Sequence, residues 1–396
     1  MPSLVDVERH LEYIFHQQEN WKKYGAQERK QSLARLRRSD RLPGACGSGT
    51  ASDLITIEIP ILSGDVGSMF NVALLGAGRI GTIHARNIAS HPALNLRYVV
   101  DPIAGAAAKL AAALGSEVTT AEQVFGDPDI HGVVVASSTD THLDHCLRAA
   151  RSGKAVWCEK PLDLDLDRLL QKVPELDSIA DKLLLGFQRR FDPNFRALHR
   201  RLMDGEIGSI ETMHVISHDP GPPPVDYIKV SGGLFKDMTI HDFDVARWML
   251  GEEPTSIYAT ASNLVDPAIG AAGDVDMAKI VLKTASGRIC VISNTRRSGY
   301  GYDQRVELYG SKGRLAAGNM TETTVESWTE RGAAADRFEN FFLTRYAAAY
   351  RAEADHFAAI LAGKAKPLVG IADGVDALKL AVAARLSAQE GTVVQP

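Results

Sequence analysis

The sequence predicts an α/β protein of two domains, a doubly wound parallel sheet followed by an α+β domain. Three observations lead there. The chain has 396 residues, well beyond the roughly 150 of one typical domain. From Phe70 to Phe187, short apolar runs alternate with helical patterns, the rhythm of parallel strands joined by crossover helices. After residue 187 the strands lengthen and alternate apolar with polar residues, as in a sheet that rests one face on a core.

Residues 1–68 stand outside this scheme and are expected to be a disordered or non-native extension. They are rich in Gln, Lys and Arg, with a Gly/Ser/Ala stretch from Gly44 to Ser52. Val7, Leu11, Ile14 and Phe15 recur at helical spacing without an evident partner face. Arg37-Arg38 is followed by polar residues where an export signal needs apolar ones. Met69, directly before the first strand, is a candidate start codon.

The fold opens at Phe70 with Phe-Asn-Val-Ala-Leu-Leu, which runs straight into Gly76-Ala77-Gly78-Arg79-Ile80-Gly81. This is G-x-G-x-x-G between a buried strand and a helix. Gly76 permits the tight turn, Gly78 lets backbone approach a pyrophosphate, and Gly81 lets the helix pack closely on the strand. Arg79 and Ile80 fall on the first helical turn, whose N–H groups face the phosphates. A second strand, Leu96 to Val100, ends in Asp101, 20 residues after Gly81. A carboxylate there bonds the adenosine ribose hydroxyls and repels a 2′-phosphate, so NAD is preferred to NADP. The domain is read as a dinucleotide-binding Rossmann domain over residues 69–187.

The alternation continues through strands Gly132 to Ala136, Ala155 to Cys158 and Leu183 to Phe187, with helices Thr141 to Arg151 and Asp163 to Val173 between them. Ligands of open parallel sheets lie beyond the carboxyl ends of strands. Ser137, Ser138, Thr139 and His142 after one strand, and Glu159 with Lys160 after the next, are therefore expected to line the cofactor crevice.

Residues 188–396 are read as the α+β substrate-binding and oligomerisation domain. Its strands are Ile210 to Ser217, Ser256 to Asn263, Ala278 to Thr284, Arg288 to Asn294 and Gln304 to Tyr309. The apolar helices Ala347 to Leu361 and Val375 to Leu386 read as core and are expected to pack back on the first domain. Between the first strands lie the polar segments His218 to Pro224 and Ser231 to Asp244. Asp237 and His241 are four apart, so on a helix the carboxylate can orient the imidazole. Blander readings stand beside these. Lys160 could simply end a strand before Pro161, and Asp237 could cap a helix over Met238 to Leu250. The cluster His142, Asp144 and His145 lacks the glutamate of a zinc-protease motif, and no metal is expected there or at His241, Asp242 and Asp244.

Composition narrows the partners. Apolar residues make up 45% and charged residues 23%, both ordinary for a globular chain. Lys and Arg total 44 against 49 Asp and Glu, a net −5 that offers no field for nucleic acid. No apolar run is long enough to span a membrane. The cysteines Cys46, Cys146, Cys158 and Cys290 are scattered, which fits a reducing cytoplasm.

From Gly76 to His241 the residues resemble the glucose-fructose oxidoreductase, inositol dehydrogenase and rhizopine-catabolism (Gfo/Idh/MocA) family, over about residues 70–390. The marks are Gly76-x-Gly78-x-x-Gly81, Glu159-Lys160-Pro161 and Asp237-x-x-x-His241. The stretches Gly186 to Asp192 and Asp237 to Asp244 look most like the inositol 2-dehydrogenase branch. The resemblance implies a large, mainly antiparallel open sheet in the second domain and a homotetramer built on it. It implies NAD as cofactor, a small polyol such as myo-inositol as substrate, and Lys160, Asp237 and His241 as catalytic triad. Arg189 and Asp219 are implied to approach the polyol beside those three. Tyr227 and Lys229 are further candidates without a motif. Another polyol or aldose, or a nucleotide-sensing role without turnover, are the competing readings.

Overall fold

The computed structural model describes residues 69–396; the extension read over residues 1–68 lies outside the described residues. The first sheet contains β1 (Phe70–Leu75), β2 (Leu94–Val100), β3 (Glu117–Val118), β4 (Gly132–Val135), β5 (Ala155–Glu159) and β6 (Leu183–Gly186). Its order is β3-β2-β1-β4-β5-β6, and every pairing is parallel. Strands β4, β5 and β6 are buried throughout, as continuous apolar runs covered on both faces must be. The order reverses between β1 and β4, and this switch point opens a crevice beyond their carboxyl ends.

The second sheet contains β7 (Ile210–His218), β8 (Pro254–Ser262), β9 (Met277–Thr284), β10 (Ile289–Thr295), β11 (Asp303–Gly310) and β12 (Gly313–Ala317). Its order is β12-β11-β7-β10-β9-β8. Only β7 and β10 run parallel; the other pairs are antiparallel. In β9 the buried Ala278, Ile280 and Leu282 alternate with the exposed Lys279, Val281 and Lys283, so one face lies on the core and the other outside. A small hairpin, β13 (Glu326–Thr329) with β14 (Gly332–Ala335), follows.

Sequence spacing located the long strands to within a few residues. The short strands β3, β12, β13 and β14 escaped it, because pieces of two to five residues carry too little periodicity. Strand β3 has both residues exposed, so burial left no imprint on it either.

Two C-terminal helices complete the molecule. Phe357, on the helix Ala347–Leu361, lies 5.9 Å from the Trp157 ring of β5. The segment before the last helix, Ile371–Glu390, reaches β6, where Leu185 N–H donates to the Val369 carbonyl at 3.0 Å. Buried ion pairs lock this helix to the helix Ile240–Leu250. Arg190 grips Asp244 with two donors, at 2.9 and 2.6 Å, and also reaches Asp373 at 2.7 Å. Such a bidentate pair fixes direction as well as charge.

Candidate active site

The glycine turn has the geometry that its composition implies. Gly76 adopts φ +107°, and a Cβ there would stand 2.3 Å from the Ala136 carbonyl oxygen at the end of β4. A Cβ on Gly81 would come within 1.9 Å of the Gly76 carbonyl oxygen. Neither position can carry a side chain without moving backbone. At Gly78 a Cβ would meet nothing, so the space before this turn is open. The helix Arg79–Ser90 begins there with no side-chain cap and no acid in its first turn. Its free N–H groups and positive end suit a pyrophosphate. Arg79 is exposed, with its guanidinium over the Phe341 ring at 5.7 Å, and Ile80 packs on the core.

Asp101 is tied into this turn by both oxygens. Oδ2 accepts from the Ala77 N–H at 2.7 Å and Oδ1 from the Ile103 N–H at 2.8 Å. A carboxylate has about four lone-pair sites, so it can still receive ribose hydroxyls. Ser138 and Thr139 follow β4, and the Ser137 and Thr141 hydroxyls bond each other at 2.6 Å. His142 is buried, with Nδ1 at 2.8 Å from the Pro161 carbonyl and Nε2 at 3.2 Å from that of Ser137. Burial lowers its pKa, and a neutral ring donates to only one of the two. Its polar atoms thus hold two crevice loops to each other. Glu159 is likewise turned inward, its Oε1 2.6 Å from Nε2 of the buried His84.

Lys160 crosses from the end of β5 to the second domain. Its Nζ donates to the Asp237 main-chain carbonyl at 2.6 Å and to Oδ1 at 3.2 Å. The Tyr227 hydroxyl donates to the same Oδ1 at 2.9 Å, and Arg296 Nη2 lies 3.4 Å from Oδ2. Burial opposes ionisation of Asp237, but Lys160, Arg296 and these hydrogen bonds outweigh it and hold the acid below its usual value. Burial pushes the Tyr227 hydroxyl up, with Asp237 adding to it.

One expected pairing is corrected. Asp237 makes no hydrogen bond to His241, whose Nδ1 is buried without a partner among the described residues. Two causes act together. The carboxylate is taken by Lys160, Tyr227 and Arg296, and Phe235–Thr239 winds as a π-helix, with the α-helix starting only at Ile240. Asp237 therefore lies inside a wider turn, and the one-turn α-helical spacing behind the expectation does not hold. Nor is Asp237 a cap. Burial first, then Lys160 and Arg189, drive the His241 pKa well below the ordinary value, so its ring is neutral and able to accept a proton. The ring stands edge-to-face with Phe187 at 5.9 Å.

Arg189 is buried and bonded to Asp242, to Ser217 Oγ at 3.2 Å and to Gln304 Oε1 at 2.8 Å. Its Nε has no partner among the described residues. Asp219 follows β7, and burial raises its carboxyl to about 7 even though Arg296 pulls it down. Arg296 Nη1 lies 4.0 Å from its Oδ2. Lys229 stands apart, exposed and paired with Asp226 on its own helix at 2.9 Å. Lys160, Asp237, Asp219 and Tyr227 thus meet around Arg296, which sequence reading missed. Arg296 and Arg297 continue a strand pattern beyond Asn294, and no spacing marks the first of the two as buried.

Two family descriptions match the chain. Residues 70–183 match "Oxidoreductase family, NAD-binding Rossmann fold", and residues 195–316 match "GFO/IDH/MocA C-terminal domain". An inositol 2-dehydrogenase of Rhizobium meliloti (strain 1021) is 47% identical over 317 residues, 80% of this chain and 96% of that protein. The crystal structure of a myo-inositol dehydrogenase from Corynebacterium glutamicum shares 43% identity at TM-score 0.79, covering 83% of this chain and 98% of the other. A scyllo-inositol dehydrogenase from Lactobacillus casei, crystallised with bound cofactor NAD(H) and scyllo-inositol, shares 27% identity at TM-score 0.78, covering 83% and 99%. On these matches, this chain belongs to the Gfo/Idh/MocA family of oxidoreductases and carries its NAD-binding Rossmann fold.

Proposed function

We propose that the protein is an NAD-dependent inositol 2-dehydrogenase, oxidising myo-inositol to 2-keto-myo-inositol. The observation that carries this reading is the meeting of Lys160, Asp237 and Asp219 at Arg296, with a neutral His241 near enough to feel the Lys160 and Arg189 charges. Likeness to relatives named for inositol oxidation supports the substrate. Gly76, Gly78, Gly81, the first turn with Arg79 and Ile80, and Asp101 would hold the dinucleotide. Ser137, Ser138, Thr139, Glu159 and Lys160 border the same crevice, with His142 joining its loops. Bound NAD supplies the hydride acceptor.

A secondary alcohol becomes a ketone when its carbon gives up hydride and its hydroxyl gives up a proton, so a base must reach that oxygen. His241, neutral and with Nε2 making no hydrogen bond among the described residues, is suited to accept it. Lys160 Nζ, already held by Asp237, would stabilise the charge developing on the oxygen. Asp219 accepts hydrogen bonds from neighbouring hydroxyls, as does Asp237 with its remaining lone pairs. Arg189 is set beside them by Asp242.

The reading extends to assembly and location. The outer face of the second sheet exposes Tyr258, Val281 and Ile289, which supports a homotetramer that covers it. Cys146, Cys158 and Cys290 are buried free thiols, in keeping with a reducing cytoplasm. No helix among the described residues is long and apolar enough to cross a membrane.

The test is direct: purified protein is given NAD with myo-inositol, scyllo-inositol, chiro-inositol or glucose, and reduced nicotinamide is followed by absorbance, with NADP as control. Preference for myo-inositol with NAD is expected. Activity on another polyol alone would replace the substrate, and no turnover with any would favour a sensor.

A further inference from the structure

Arg296 is a strongly basic group of the site that neither the glycine motif, the triad nor the family resemblance accounts for, and its role rests on the polyol-dehydrogenase reading above. It follows β10 on the inner side of the second sheet, with only 2% of its side chain exposed. Its two terminal nitrogens point to different acids: Nη2 to Asp237 Oδ2 at 3.4 Å and Nη1 to Asp219 Oδ2 at 4.0 Å. Its Nε is buried without a partner among the described residues. A cation so placed gives up hydration that two loose contacts only partly return. Stability of the fold does not explain it.

We propose that Arg296 is a positioning residue for polyol oxidation. It spans Asp219 and Asp237 and favours the ionised form of each, so that Asp219 accepts hydrogen bonds from substrate hydroxyls while Asp237 holds Lys160.

The surroundings show why one guanidinium serves both. Asp237 faces Lys160 from the end of β5, Tyr227 from the helix Val225–Ser231, and Arg296. Asp219 faces Arg296 and Arg189 as cations, with Asp237, Asp242 and Tyr302 opposite in effect or neutral. Arg189 is already committed to Asp242 and Gln304. Arg296 is therefore the main cation available to Asp219, whose carboxyl burial has brought to about 7. Take Arg296 away and Asp219 carries a proton at neutral pH. It then loses one acceptor oxygen and turns toward substrate as a donor.

The test compares kcat/KM against pH for wild type, Arg296→Gln and Arg296→Lys, with saturating NAD and the polyol that the wild type oxidises. Arg296→Gln is expected to move the acid limb upward by about one pH unit or more. KM for the polyol should rise at least about tenfold at neutral pH, with KM for NAD unchanged. Arg296→Lys, with a single charged point in place of a two-armed donor, should fall between the two. Should Arg296→Gln fail to fold, Arg296→Lys alone decides. An acid limb and polyol KM equal to wild type in the soluble variants would overturn the proposal, as would a uniform fall in rate without any shift of the limb. A wrong substrate assignment shows already in the wild type with myo-inositol, whereas a wrong role for Arg296 shows only in the difference between variant and wild type.

Discussion

Lys160 Nζ sits 2.6 Å from the main-chain carbonyl oxygen of Asp237. A side chain at the end of β5 in the first half therefore ends on the backbone of the second, and its position depends on the fit between them. Lys160→Met, which keeps the stem and removes the charge, should lower kcat by about 10²- to 10⁴-fold. NAD affinity, followed by fluorescence titration, should stay within a few-fold. Full turnover in this variant would remove Lys160 from the reaction.

For His241→Ala the expectation is a similar fall in kcat with little change in KM for NAD. Burial, with Lys160 and Arg189, holds its pKa well below the ordinary imidazole value, so an acid limb near neutrality is assigned to Asp219 and not to the imidazole. The residual activity of the variant should keep that limb. A limb that vanishes with His241 would transfer it from Asp219 to the imidazole.

Asp101→Ala should shift the ratio of NAD to NADP efficiency toward NADP by about tenfold or more, the worth of a charge-assisted hydrogen bond. The carboxylate also anchors Ala77 and Ile103, so KM for both nucleotides should rise. Paired initial-rate measurements read the ratio, and an unchanged ratio would refute the ribose assignment.

Asp219 also predicts how stability follows pH. Its carboxyl is raised from 3.8 to about 7 in the fold, so the folded chain binds a proton that the unfolded chain has lost. The resulting stabilisation is complete below the ordinary value and is lost as pH rises through about 7. Asp219→Asn should therefore raise Tm at about pH 8 while changing it much less at about pH 5. Calorimetry at the two pH values separates this from a loss of fold.

Gly81→Ala forces a methyl group to within 1.9 Å of the Gly76 carbonyl oxygen unless the helix retreats. A cost of about 1–3 kcal/mol should appear as a lower denaturation midpoint. NAD binding should weaken further, since a retreating helix takes its N-terminus from the phosphates. Wild-type stability and affinity together would show that the turn has slack.

The dinucleotide half was legible because its signals are local. A strand, three glycines and a strand-end acid lie within 32 residues, Phe70 to Asp101, and each is imposed by backbone geometry. The long strands of the second half were legible through alternation, as in β9. The acid-base cluster was only partly so: the family motif pointed to Lys160, Asp237 and His241, but not to the bonds among them. Those bonds depend on a π-helical turn that no apolar period reveals, and on Arg296, which is 59 residues from Asp237 in the chain. An arginine after a strand looks like any surface arginine until tertiary packing buries it.

The closure of β6 by the segment around Val369, and of β5 by Phe357, bears on how the protein is made. Synthesis runs from the N-terminus, and domains commonly fold as they emerge. Here the first sheet is fully written by Gly186, yet two of its strands wait for residues near the far end of the chain. Until those arrive, apolar surface on the earlier half stays uncovered. A ribosome that stalls late would release a chain with its nucleotide motif complete and its fold unfinished, and such a product is a natural substrate for chaperones.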